Sequence, residues 1–133
     1  MSFLLNMLYK SLGRYCKKKP IPTENDFYNW CRLGHIDEVK NILEHSDLKV
    51  NLNTGLDIAC DNNLSELGAY LVSKGASNLD ECLKKACQQF KYDFVEMLVK
   101  NGANISVGLR YSKSANITRM LYRYEQKSEL INN

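Results

Sequence analysis

The chain has 133 residues, 44% hydrophobic and 25% charged, which excludes a disordered chain and fits one domain or one short array. Its net charge of +3 is unevenly spread: residues 1–19 carry five bases and no acid, residues 20–104 carry 8 bases and 13 acids, and residues 105–133 carry 5 bases and 2 acids. A nucleic-acid binder concentrates positive charge on its main surface; here the long middle is acidic, so nucleic acid is not an expected partner.

Residues 1–23 come first. Leu4, Met7, Leu8, Leu12 and Tyr15 recur at helical spacing, so residues 3–15 are expected to form an amphipathic helix. The apolar run 3–9 is too short to span a membrane. Its bases follow it and no small-residue cleavage site is evident, so it makes a poor signal peptide. The expected role is a cap on the segment that follows, with Lys17, Lys18 and Lys19 in solvent. An alternative is a membrane adaptor, with Cys16 lipidated beside the lysines and the basic helix on a membrane surface. Pro20 and Pro22 end this helix, and no proline follows them, which favours helices thereafter.

A pattern then repeats. In residues 24–51, Phe27, Trp30 and Cys31 form one apolar stripe, Gly34 a turn, and Ile36, Val39, Ile42 and Leu43 a second stripe. In residues 52–78, Leu56, Ala59 and Cys60 are followed by the polar turn Asp61-Asn62-Asn63, then Leu64, Leu67, Leu71, Val72 and a stop at Gly75. In residues 79–104, Leu83, Ala86 and Cys87 are followed by Phe94, Val95, Leu98, Val99 and a stop at Gly102. The last two copies are 27 residues apart. Each reads as helix, tight turn, helix, glycine. In residues 105–133, Ile117, Met120 and Leu121 echo Phe94, Met97 and Leu98 in a worn copy, with a final helix expected over 116–127 and exposed Arg119, Arg123 and Lys127. A helical hairpin cannot bury its apolar face alone, so such copies stack.

The five cysteines form no CxxC or Cys/His cluster, so no metal or other cofactor is expected. Cys31, Cys60 and Cys87 share one repeat position, where a free thiol serves as a small hydrophobe. Reduced, structural cysteines point to the cytoplasm.

These residues resemble the ankyrin repeat. Cys31, Gly34-His35, Val39-Lys40, Ile42-Leu43 and Val50-Asn51 match its pattern in the first copy. Ala59-Cys60, Asn62, Glu66, Leu71 and Gly75-Ala76 match in the second. Ala86-Cys87, Asp93, Val95, Leu98 and Gly102-Ala103-Asn104 match in the third. The period of 27–29 is shorter than the family's 33. Thr54-Gly55-Leu56-Asp57 is the one trace of the family's opening motif, and Lys85 stands where an apolar residue is usual. The deficit falls after Gly75, so the family's projecting β-hairpin finger is expected to be a clipped loop. The wording of the copies is similar to divergent ankyrin proteins of large DNA viruses and intracellular bacteria.

The resemblance implies an all-α, ankyrin-type helical-hairpin solenoid of about three repeats with N- and C-terminal helical caps. It also implies a non-enzymatic module that binds a partner protein through its concave inner helices and short loops. His35 then reads as the turn histidine that follows glycine, and Trp30 as packed under the cap. The partner-facing residues expected are Tyr28, Asp57, Asp61, Asp80, Glu81, Lys84 and Gln88. In urea melts Leu98→Ala should cost about 2–5 kcal/mol by leaving a cavity. Lys91→Ala, in a turn, is expected to stay within about 0.5 kcal/mol. Equal effects would mean that the stripe is out of phase.

Overall fold

A computed structural model describes Leu4 and residues 21–132. Among them are eight helices and no strand: α1 (Glu24–Leu33), α2 (Ile36–His45), α3 (Leu52–Asp61), α4 (Ser65–Ser73), α5 (Leu79–Gln88), α6 (Tyr92–Lys100), α7 (Ile105–Tyr111) and α8 (Ala115–Asn132). The helical cap expected over 3–15, Cys16 and the three lysines lie outside the described residues apart from Leu4. The chain divides into two compact units between Asn51 and Leu52.

In the first unit α1 packs on α2. Thr23 caps α1: its hydroxyl accepts from the Asp26 amide at 3.3 Å, and the Asp26 carboxylate accepts from the Thr23 amide at 2.8 Å. Two amides that no helical turn can satisfy are thereby paired. Phe27, Cys31 and Val39 are fully buried, with Ile42 at 2% exposure. Trp30 is half-buried.

In the second unit the helices pair as α3–α4, α5–α6 and α7–α8, each on its chain neighbour. The first helices of the pairs also pack in sequence, α3 on α5 and α5 on α7, and the second helices do likewise, α4 on α6 and α6 on α8. The stripes explain this. Leu56, Ala59 and Cys60 on α3 are fully buried, as are Leu83, Ala86 and Cys87 on α5. Leu71 on α4 and Phe94, Val95 and Leu98 on α6 are also sealed from solvent. Ile117, Met120 and Leu121 close the far end from α8. The C-terminal segment, expected as a worn copy with a final helix over 116–127, is a helical pair. It holds a short α7 as well, and α8 runs to Asn132.

The turns share one geometry. Gly34, Asn63 and Phe90 follow α1, α3 and α5 with φ of 74°, 53° and 59°. This left-handed residue lets the next amide reach back five residues: His35 to Trp30, Leu64 to Ala59 and Lys91 to Ala86, each at 2.9 Å. Gly75 and Gly102 end α4 and α6 with φ of 118° and 100°, and the amides of Ala76 and Ala103 close on Leu71 and Leu98 at 3.0 Å.

Gly68 plays a different part. It is buried on α4, and a Cβ there would lie 2.7 Å from Met97 Cε and 2.9 Å from the Phe94 ring. The missing side chain is what lets α4 and α6 approach. Gly68→Ala should therefore destabilise by about 1–3 kcal/mol through overpacking, although alanine is the better helix former. Thermal or urea unfolding checks this, and a stabilised Gly68→Ala would show that Phe94 and Met97 yield freely.

Candidate functional site

The seven expected partner-facing residues fall into three groups. The first holds the chain to itself. Tyr28 is half-buried, its phenol donates to the Glu24 carboxylate at 2.5 Å, and its oxygen accepts from the Asn51 amide at 3.4 Å. Its ring also stands edge-on to Phe27, with centroids 5.5 Å apart. Tyr28 is thus not the exposed aromatic that its sequence position implies; one helical phase step from the core stripe still leaves it pinned. Asp80 accepts from the Asn104 amide at 2.7 Å. One repeat earlier, Asn53 does the same for the Ser77 amide at 2.8 Å, and its carbonyl receives the Asn78 side chain at 3.1 Å.

The second group is an ion-pair cluster. Lys85 on α5 reaches Asp57 at 2.9 Å and Asp61 at 2.5 Å, both on α3. Partial burial works against the Lys85 ammonium, but its bonds to Asp61 and Asp57 outweigh that and raise its pKa above the ordinary lysine value. Asp57 and Asp61 were expected to meet a partner; they instead join two helices. Their side chains remain 51% and 48% exposed, so each keeps an oxygen edge in water.

The third group is exposed. Lys84 lies 4.7 Å above the Tyr111 ring, a contact between α5 and α7. Glu81 and Gln88, on the same helix, are exposed and make no hydrogen bond or ion pair with the described residues. Beside them is a shallow cleft of about 300 Å³ lined by Ser77, Asn78, Leu79, Asp80, Glu81 and Gly102. The Asn78 side-chain oxygen is buried and has no partner among the described residues. This site offers two carboxylates and an amide oxygen, all hydrogen-bond acceptors, so it suits a ligand rich in donors.

Two residues matter that sequence reasoning did not place. Lys85 stands in an apolar position because its ammonium emerges between two aspartates. Lys91, in the α5–α6 turn, donates to the Cys60 carbonyl at the end of α3. This corrects the expectation that Lys91 is a neutral turn residue: it is half-buried and adds a charged donor to a helix-terminal carbonyl that also accepts from the Asn63 amide at 3.1 Å. The spacings that could have shown both are 28 and 31 residues, one repeat plus a small step.

Cys31, Cys60, Cys82 and Cys87 are free and buried. Burial pushes the Cys31 thiol up to about 12 and the Cys87 thiol up to about 11. Cys82 is raised by its bond to Cys60 and by burial. The same bond lowers Cys60. The thiols of Cys31, Cys82 and Cys87, held protonated, are inert packing groups. Among the described residues no group of three or more His, Cys, Asp or Glu could hold a metal ion, and no helix is long and apolar enough to cross a membrane.

No protein-family model matches this chain, and comparisons with curated proteins and with solved structures return no match either.

Two adjacent acids should separate the roles. Asp80→Ala should cost about 1–2 kcal/mol, because it strips the Asn104 amide of its acceptor. Glu81→Ala should stay within about 0.5 kcal/mol. Lys91→Ala should cost about 1–2 kcal/mol rather than nothing. Urea melts read all three; equal losses for Asp80→Ala and Glu81→Ala would mean that the loop does not depend on the Asp80 bond.

Proposed function

We propose that the chain is a cytoplasmic, non-enzymatic module of the ankyrin type, a short solenoid that binds a partner protein. The surface we assign to the partner is the row Glu81, Lys84 and Gln88 along α5, with the cleft at Ser77–Glu81. The observation that carries this reading is the division of labour among like residues. Asp57, Asp61 and Asp80 are engaged within the chain, while Glu81 and Gln88, one helical turn to either side of Lys84, are exposed with no use in the fold. Repeated hairpins give such a row a fixed backing, and a rigid row of side chains recognises a protein surface at little entropic cost. The sequence has no glycine-rich phosphate loop and no nucleophile–base pattern, which supports binding over catalysis.

The test uses the full chain immobilised against cytosolic extract, followed by surface plasmon resonance with the protein it retains. Glu81→Lys should slow association, most at low salt, because charges at the edge of an interface steer encounter. Glu66→Lys, exposed on α4, should bind like the parent. If Glu66→Lys abolishes binding and Glu81→Lys does not, the partner sits on the second helices of the pairs and this assignment fails. Asp57→Lys and Tyr28→Ala are unsuited, since each also breaks a contact within the fold.

A further inference from the structure

A second cleft, of about 420 Å³, lies at the other edge of the second unit, between the α5–α6 turn and the start of α8. Phe90, Tyr92, Ser114, Asn116, Ile117, Arg119 and Arg123 line it, and none of these is acidic. Three observations meet there. Phe90 has a φ of 59°, in the left-handed region that bulky side chains rarely adopt. The equivalent turn residues, Gly34 and Asn63, are the kinds that tolerate this conformation. Phe90 nevertheless leaves 61% of itself in solvent, so no core burial compensates for the backbone it occupies. Strain kept without a packing return is a mark of ligand-holding positions. Opposite it, Arg119 and Arg123 are exposed, four residues apart on α8, and neither makes a hydrogen bond or ion pair with the described residues.

We infer that this cleft binds an acidic peptide segment, with carboxylates on Arg119 and Arg123 and an apolar side chain laid on Phe90 and Tyr92. The guanidinium fork takes a carboxylate with two parallel hydrogen bonds. Residues four apart on a helix are separated by about 6 Å along its axis. Alternate residues of an extended chain are about 6.6 Å apart, so two acids flanking one residue meet both arginines in register. The residue between them points the other way, and its neighbours in the alternation can carry the apolar contact to the ring. Charge favours a peptide over a nucleic acid. Residues 105–133 are net basic, but residues 52–104 of the same unit hold 7 acids against 5 bases, so a long polyanion leaving the cleft meets repulsion. This site stands independently of the α5 surface.

The experiment is fluorescence anisotropy with the full chain and a short fluorescein-labelled peptide in which glutamate alternates with leucine or phenylalanine. The same peptide with glutamine for glutamate and a labelled oligothymidine serve as comparisons. The acidic peptide should bind, and the glutamine version should bind at least about tenfold more weakly. Arg119→Gln with Arg123→Gln should weaken the acidic peptide by about tenfold while leaving the melting temperature within a degree or two. Phe90→Gly should weaken binding by about fivefold and yet raise the melting temperature by a few degrees, because glycine accepts this backbone freely. That opposite movement is not expected of a packing residue. Equal binding of the two peptides, tighter binding of oligothymidine, or a Phe90→Gly chain that melts lower and binds unchanged would each overturn the proposal.

Discussion

One backbone amide in each helical pair decides how the next pair can begin. After the second helix of a pair, the chain must turn back, and the amides of Asn51, Ser77 and Asn104 then have no helical acceptor. Each is taken by a side chain from the first helix of its own pair: Tyr28, Asn53 and Asp80. The bond closes each hairpin on itself, and within the second unit it fixes the exit direction. The following helices start immediately afterwards, at Leu52, Leu79 and Ile105. A connection of a few residues can do this only if its polar groups are satisfied locally, since it has no hairpin of its own to satisfy them. Ala76 and Ala103 are buried in these connections, at 5% and 6% exposure, which ties the bond to the core on either side.

The apolar half of this design was legible in the sequence; the polar half was not. Leu56, Ala59 and Cys60 return as Leu83, Ala86 and Cys87, so the same residue types mark the same buried positions. The amide-accepting position returns as a phenol, an amide and a carboxylate. What repeats there is an acceptor at the right place, and comparison by residue type passes over it. Two of those three acceptors, Tyr28 and Asp80, therefore looked like free surface groups. The aspartates of α3 misled for a related reason. A charge on the exposed side of a helix reads as available until its counterion is found, and Lys85 lies 28 and 24 residues away on a neighbouring helix. Gly68 was silent because a glycine inside a helix carries no period; only the neighbouring Phe94 and Met97 give it meaning.

The C-terminal pair shows the limit of spacing arguments. Ile117, Met120 and Leu121 were found because they preserve the i, i+3, i+4 pattern of the preceding copy. The helix before them, Ile105–Tyr111, is only 7 residues long, too short for two turns of apolar period to announce it. It is held instead by an Asn104 side chain that accepts from the Ser106 amide at 3.0 Å, by packing on α5, and by Lys84 against Tyr111. Context rather than propensity makes this helix.

The charge balance of the second unit also changes once its partners are known. Lys85 serves two aspartates, so α3 and α5 together remain net acidic at that point, with the excess spread over half-exposed oxygens. Because bonding raises its pKa, Lys85 contributes stability that is fully present below the ordinary lysine value and is lost as pH rises through the higher folded value. Near neutrality the link is therefore constant, and pH changes there act on other groups. On α3 and α5, acidic character that can still be offered outward falls to Glu81 and to the free edges of Asp57 and Asp61. Basic character is kept at the opposite end of the unit, on Arg119 and Arg123. The inner packing thus uses opposite charges to join helices and leaves an unpaired acid on α5 and unpaired bases on α8. A ligand that meets either surface is selected first by charge sign and then by the side chains set around it.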